Sequence, residues 1–530
     1  MSTIKLYNGI VLPEVWPPQY PLEMFAERKA LPVPYLEDPP EVIPLGIGRE
    51  LFVDDFLIEK TTCRRSFHYP EKYANNPVLK PETELELGQG RLPSCACPKS
   101  GGVWYDYEKH VWQMWYEAGF FGSICYAESE DGIHWERPML DVFPGTNRVL
   151  PFGLTCDSWT VVHDYYTDDP QQRFKLFLME AGWVMRGMIM TSPDGIHWSR
   201  PAATGRAGDR STMFYNPFRK KWCFSLRSYL TLTAPWLRMR DYAEGDDIFT
   251  ASQWGSIALE DDREKTSVPW AGVDEYDLPD PELNIPPQLY NLDAVPYESL
   301  MLGMFQLHYG PPNEVCEESG YPKITGLEFA YSRDGFHWSR PDRTCAIYPE
   351  KDRWDRGYVQ SSGNLCTVDE EKITFYYIGF GGNPGTGRKY AMYENGATGV
   401  AFLRRDGFAS MDAEGQGELL TRNVTFHGEH LFLNLDAPAG SIRVEVLDEN
   451  GAVLPGFALE DCLPVSGDHT RVEVKWRNDN LARLAGSVVR FRFVLQNAKL
   501  YSFWVSTSER GESNGYAAGG GPDYHGPRDI

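Results

Sequence analysis

Ser129-Glu-Asp131-Gly132-Ile-His134-Trp135-Glu-Arg137-Pro138 recurs as Ser192-Pro-Asp194-Gly195-Ile-His197-Trp198-Ser-Arg200-Pro201, and again as Ser332-Arg-Asp334-Gly335-Phe-His337-Trp338-Ser-Arg340-Pro341. The same Ser, Asp-Gly, His-Trp and Arg-Pro return each time. Asp-Gly is a hairpin signal, because Gly accepts positive φ and Asp bonds its own downstream backbone. Each copy follows a β-rich run (Ser123–Ala127, Gly187–Thr191, Leu327–Tyr331) and stops at Pro, which ends a strand. The unit therefore reads as a hairpin between two late strands of a larger β unit.

Spacing gives the number of units. Asp131 and Asp194 lie 63 residues apart, and Asp194 and Asp334 lie 140 apart. The second interval is about two periods of ~70 residues, so one copy is degraded or missing near residue 264. A weaker copy, Arg405-Asp406-Gly407-Phe408, follows 72 residues after Asp334. Five units of about four strands each predict a five-bladed β-propeller, whose blades bury their faces against one another.

Outward from the repeat, residues 1–45 are Pro-rich and predict an extended arm. Residues 46–409 hold the propeller. Glu50–Glu59 is its first clear strand, expected to complete the last blade or to enter the axis. Residues 235–285 are charge-rich and depart from the repeat, as a functional loop on one face does. From 410 to 510, alternating runs such as Ser441–Leu447 and Val488–Val494 predict a small antiparallel β-sandwich. Residues 511–530 form a Gly-rich tail, expected to be loosely ordered. The fold class is all-β: a five-bladed β-propeller followed by a C-terminal antiparallel β-sandwich.

Composition narrows the partners. The net charge of −24 argues against nucleic acid and anionic membrane and fits a neutral substrate. No apolar run is long enough to span a bilayer, and no basic-then-apolar leader opens the chain. Ten scattered Cys, with only Cys95 and Cys97 close together, form no zinc pattern and read as reduced thiols of a cytoplasmic protein. No metal and no cofactor is expected. Homo-oligomerisation is left open. The 16 Trp, 29 Tyr and 27 Phe suit sheet packing first and sugar stacking second.

In a propeller the heads of the inner strands meet at one mouth. Acids heading successive blades therefore converge, and paired carboxyls are what glycoside hydrolysis needs. Asp157 heads blade two, Asp209 blade three and Glu298 blade four. Glu298 is the expected general acid, with Asp157 and Asp209 as nucleophile or base and as stabiliser. Arg210, Trp159 and Tyr297 are the expected sugar contacts. An Asp before a strand more often serves a turn, and the repeat Asp131, Asp194 and Asp334, with His134, His197 and His337, read as turn formers.

The turn repeat, the five units, the acids of successive blades and the trailing sandwich together resemble the five-bladed propeller glycosidases of glycoside hydrolase families 43, 32 and 130. The resemblance implies an Asp nucleophile or base, an Asp stabiliser and a Glu acid on inner strands, matched by type and order in Asp157, Asp209 and Glu298. It implies release of terminal sugars, furanosides or related pentose and hexose units, from an oligosaccharide. Blade one departs from that pattern, opening with Arg91-Leu-Pro-Ser-Cys95 and no acid. Hydrolase and phosphorylase chemistry both stay open. Two alternatives stand beside this reading: a sialidase-like propeller, needing a Tyr nucleophile and an Arg cluster, and a non-catalytic carbohydrate-binding propeller.

Overall fold

The computed structural model describes residues 4–150, 156–180, 186–199, 201–233, 235–255, 266–477 and 479–530, without the side chains of 157, 180 and 186. Five separate four-stranded sheets form the blades of a propeller. Their inner strands are Ala96–Cys97 continued by Val103–Asp106, then Cys156–His163, Thr212–Asn216, Gln288–Glu298 and Gly357–Val368. Each inner strand packs on the next, and the fifth packs on the first, closing the ring. The chain seals itself: Glu71–Lys72 is the outermost strand of blade five, paired with Ala401–Phe402.

The repeated turns hold the blades together. In each copy the Ser hydroxyl takes the Gly N–H, at 2.9 Å for Gly132, Gly195 and Gly335. The Asp Oδ1 takes two further N–H groups, from Ile133 and His134 in the first copy. The His ring closes on the other carboxylate oxygen at 2.7 Å. The turn carbonyls then receive a neighbouring blade. Trp115 Nε1 of blade one donates to Gly195 O at 2.7 Å. Trp270 Nε1 of blade three donates to Phe336 O at 2.8 Å. Tyr376 OH of blade five donates to Gly132 O at 3.1 Å. The turns are hairpins between third and outer strands, seen in the bridges Glu128–Glu136 and Tyr331–Ser339. The degraded copy expected near residue 264 falls in 256–265, outside the described residues.

A second turn family closes the far end of the inner strands. Asp106, Asp164, Asn216 and Asp369, at the ends of four inner strands, each accept an N–H from two residues on. In blade four that place is taken by Glu298, at φ 49, in a tight turn that sets Tyr297 opposite Leu300.

The remaining strands build the C-terminal β-sandwich, a nine-stranded curled sheet led by the long strands His430–Asp448 and Val489–Ser506. Its core includes Leu433, Val444, Phe491 and Phe503, all wholly buried. Three expectations change here. Glu50–Leu51 and Ile58–Thr61 neither complete a blade nor enter the axis, but join this sheet. The stretch 235–285 is not one insertion, because Leu237–Gly245 and Val268–Ala271 are the third and fourth strands of blade three. The Gly-rich tail is packed: Tyr516–Ala517 pairs with the end of the blade-four inner strand, and residues 515–520 are buried. Small residues suit that path, since a Cβ on Gly519 or Gly521 would collide with neighbouring atoms.

Candidate active site

At the head of the ring, opposite the Asx turns, the inner strands bring buried polar side chains together. The broken inner strand of blade one lets Lys99-Ser100-Gly101 turn into the axis. Ser100 Oγ there lies 3.3 Å from Asp293 Oδ2, on blade four. The same Asp293 oxygen accepts from Asn291 Nδ2 at 2.9 Å and from Ser361 Oγ of blade five at 2.7 Å. Asp293 is the carboxyl around which the blades meet. Burial pushes its pKa up, against the opposing pull of Arg210 and of these donors.

Hydrogen-bonding capacity is left over around it. Among the described residues, Ser158 Oγ, Thr160 Oγ1, Asn291 Oδ1, both amide atoms of Gln360 and all three guanidinium nitrogens of Arg210 are buried without a partner. Such groups are rare in folded interiors unless water or a ligand completes them.

The walls are aromatic and charged. Phe120 stacks on Tyr393 with centroids 4.1 Å apart, and Tyr393 leads to Tyr358 at 5.7 Å. Tyr358 OH lies 3.1 Å from Tyr290 OH, and the Arg238 guanidinium covers the Tyr290 ring at 3.9 Å. Lys323 Nζ sits among these rings, 4.7 Å from the Tyr358 centroid. On blade one Lys99 and Glu117 form a buried ion pair at 2.9 Å. Burial raises the Glu117 pKa although Lys99 opposes it.

The expected site residues divide. Asp209 is at this entrance, ion-paired to Arg227 and, at 2.7 Å, to Arg238. Arg210 is beside it, 2 % exposed. Asp157 is the unpaired residue of a β-bulge at the head of blade two, between Cys156 and Ser158. Its side chain lies outside the described groups. Bulges often re-aim side chains next to active sites.

Glu298 does not join them. It ends its strand rather than heading it, so it lies at the far end of the ring. There it is wholly buried in a four-member ion cluster with Arg49, Arg405 and Asp406. Its carboxylate also takes Arg49 N at 2.9 Å and Ser513 Oγ at 2.8 Å. Burial would raise the Asp406 pKa, but Arg49 and Arg405 hold it at about 2. Tyr297 donates to Asp406 at 2.6 Å in that cluster, and Trp159 is buried in the core between blades. Neither ring offers a face to a ligand. Among the described residues no group of three or more His, Cys, Asp or Glu is placed to hold a metal ion, and no helix is long and apolar enough to cross a membrane.

No protein-family model matches the sequence, and no curated protein matches it. Distant likenesses to solved structures are found. An N-acetylgalactosamine deacetylase from F. plautii is 13 % identical with a TM-score of 0.39, over 66 % of this chain and 96 % of that one. A thermostable family-43 glycoside hydrolase is 10 % identical with a TM-score of 0.35, over 63 % and 96 %. A GH32 β-fructofuranosidase of Bombyx mori is 10 % identical with a TM-score of 0.37, over 81 % and 94 %. Likenesses at these scores assign none of these activities to the present chain.

Proposed function

We propose that the protein is a glycoside hydrolase that releases terminal sugar units from an oligosaccharide at the head of the propeller axis. The observation that carries this reading is the convergence on Asp293. A buried carboxyl with a raised pKa is surrounded by unpartnered polar groups and walled by aromatic rings. Sugar hydroxyls complete such hydrogen bonds, and ring faces take the apolar side of a pyranose or furanose.

Asp293 suits the acid role, because burial keeps its proton available. In the proposed step it gives that proton to the glycosidic oxygen as the anomeric C–O bond breaks. A second, ionised carboxyl either attacks the anomeric carbon or takes a proton from the attacking water. Asp157, on its bulge, is the proposed second carboxyl. Asp209, held by two arginines, is proposed to bind rather than react.

The test is release of reducing sugar from a panel of neutral and acidic oligosaccharides by wild type and by Asp293→Asn. The variant keeps the shape of the side chain but has no proton to give. Turnover is expected to fall by about 10²–10⁴ with the thermal midpoint retained. Undiminished turnover in the variant removes Asp293 from the chemistry. A wild type that cleaves nothing in the panel removes the hydrolase reading.

A further inference from the structure

Blade three carries four arginines at the ring entrance. Arg210 precedes its inner strand at φ 57. Arg227 lies on the second strand, Lys221–Leu230, and Arg238 and Arg240 lie on the third. Arg227 and Arg240 are direct cross-strand partners, a placement that like charges disfavour. Asp209 is the carboxylate ion-paired to this group, and it reaches Arg227 and Arg238.

The other two arginines have no ion-pair partner among the described residues. Arg240 is wholly buried and spends its donors on neutral oxygens. These are Arg210 O at 2.6 Å, Ser225 O at 2.7 Å, Ser225 Oγ at 3.0 Å and Tyr290 O at 3.4 Å. Arg210 has no hydrogen-bond partner for any guanidinium nitrogen among the described residues. Burial pushes the Arg240 pKa well down, and Arg238, Arg210 and Arg227 push it the same way against Asp293. Buried like charges in this number are costly unless an anion compensates them.

We infer that the arginine cluster is a subsite for an oxyanion carried on the sugar, the carboxylate of an acidic sugar or a sulfate ester, with the free fork of Arg210 as its principal contact. Guanidinium forks match both groups by paired N–H donors. The cluster adjoins the aromatic wall through Arg238 and Tyr290, so an anion here sits beside a stacked sugar ring. This inference rests on the hydrolase reading for its substrate class, but its test reads binding rather than turnover.

Isothermal titration of the full chain would compare glucuronate, galacturonate, N-acetylneuraminate and glucose 6-sulfate with glucose and galactose, and with inorganic phosphate. At least one acidic sugar is expected to bind about 30-fold or more tighter than the neutral sugars. Arg210→Gln is expected to erase that preference. Arg210→Lys, which keeps the charge without the fork, should fall between, and both variants should unfold at the wild-type temperature. Equal binding of acidic and neutral sugars overturns the inference, as does the absence of binding by any acidic sugar. A preference that survives in a folded Arg210→Gln also overturns it. Phosphate that binds as tightly as the acidic sugars, with a sugar phosphate released from oligosaccharide, overturns it in favour of a free anion. Neutral glycans cleaved without any acidic preference would leave the hydrolase reading standing alone. Acidic sugars bound with no glycan cleaved would leave the subsite standing without it.

Discussion

Glu298→Gln separates two accounts of one residue. At the head of a strand it would be a catalytic acid, and the substitution would stop turnover in a stable protein. At the far end of the inner strand it is one of two carboxylates balancing two guanidiniums, all four with no solvent exposure. Gln preserves the size of the side chain and the contacts from Arg49 N and Ser513, but it removes one negative charge. Arg49 and Arg405 are then left with Asp406 alone, a net positive charge with no route to water. Breaking a buried pair in this way costs about 3–5 kcal/mol, a fall in thermal midpoint of about 3–5 °C for a chain of 530 residues. Calorimetry of wild type, Glu298→Gln, Arg405→Gln and the double variant would measure it. The double variant should recover part of the loss, because it restores the charge balance, and the cycle isolates the coupling. A Glu298→Gln protein with the wild-type midpoint and no activity would refute the cluster argument and return Glu298 to the chemistry.

Two further perturbations test the frame. Gly195→Ala should destabilise by about 2–4 kcal/mol, because Gly195 has φ +74 and a Cβ there would overlap the Trp115 ring. Gly145→Ala, at φ +80 with open space around it, is the control that carries backbone strain alone; equal midpoints for the two would remove the inter-blade clamp. Burial pushes the Glu50 carboxyl up to about 7, against the pull of Arg333 and Ser299. A carboxyl raised in the fold lends stability below its unfolded value near 4.5 and loses it as pH climbs through 7. Glu50→Gln should therefore flatten a loss on the order of 3 kcal/mol between pH 5 and 8 in urea melts, and an unchanged slope would show that Glu50 does not cause it.

The ring was legible because its signal is local. Ser, Asp, Gly and His within six residues satisfy one another, so the turn writes itself into contiguous sequence. The trailing sandwich was legible for a similar reason, through alternation along Ser441–Leu447. The acids proposed for the site were not. Asp293 stands inside an apolar run and carries no turn chemistry, so nothing near it in sequence marks it. Glu298 stands before Ser299-Leu300 and looks like the head of a strand, whereas it is the turn between two long ones. A signal was present in the other blades. Asp106, Asp164, Asn216 and Asp369 close their inner strands with Asx turns, and counting along them puts Glu298 in the corresponding place of blade four. Its left-handed backbone, unusual for a Glu, is held by the ion cluster and not by propensity.

Charge illustrates the same limit from the other side. The chain carries −24 in sum, which says what it repels at a distance. Charges are screened within about 8–10 Å in salt, so acids spread over the outer blades contribute little at a buried entrance. The local charge there is set by Arg210, Arg227, Arg238 and Arg240 against Asp209, with Asp293 next to them. Sequence spreads these arginines from 210 to 240, on two strands and just ahead of a third, and only their shared sheet turns them into one charged wall. Total charge points to a neutral substrate, whereas this wall points to an anionic one. The wall is the better guide, because electrostatic energy at a site depends on nearby, poorly solvated groups and hardly at all on the sum.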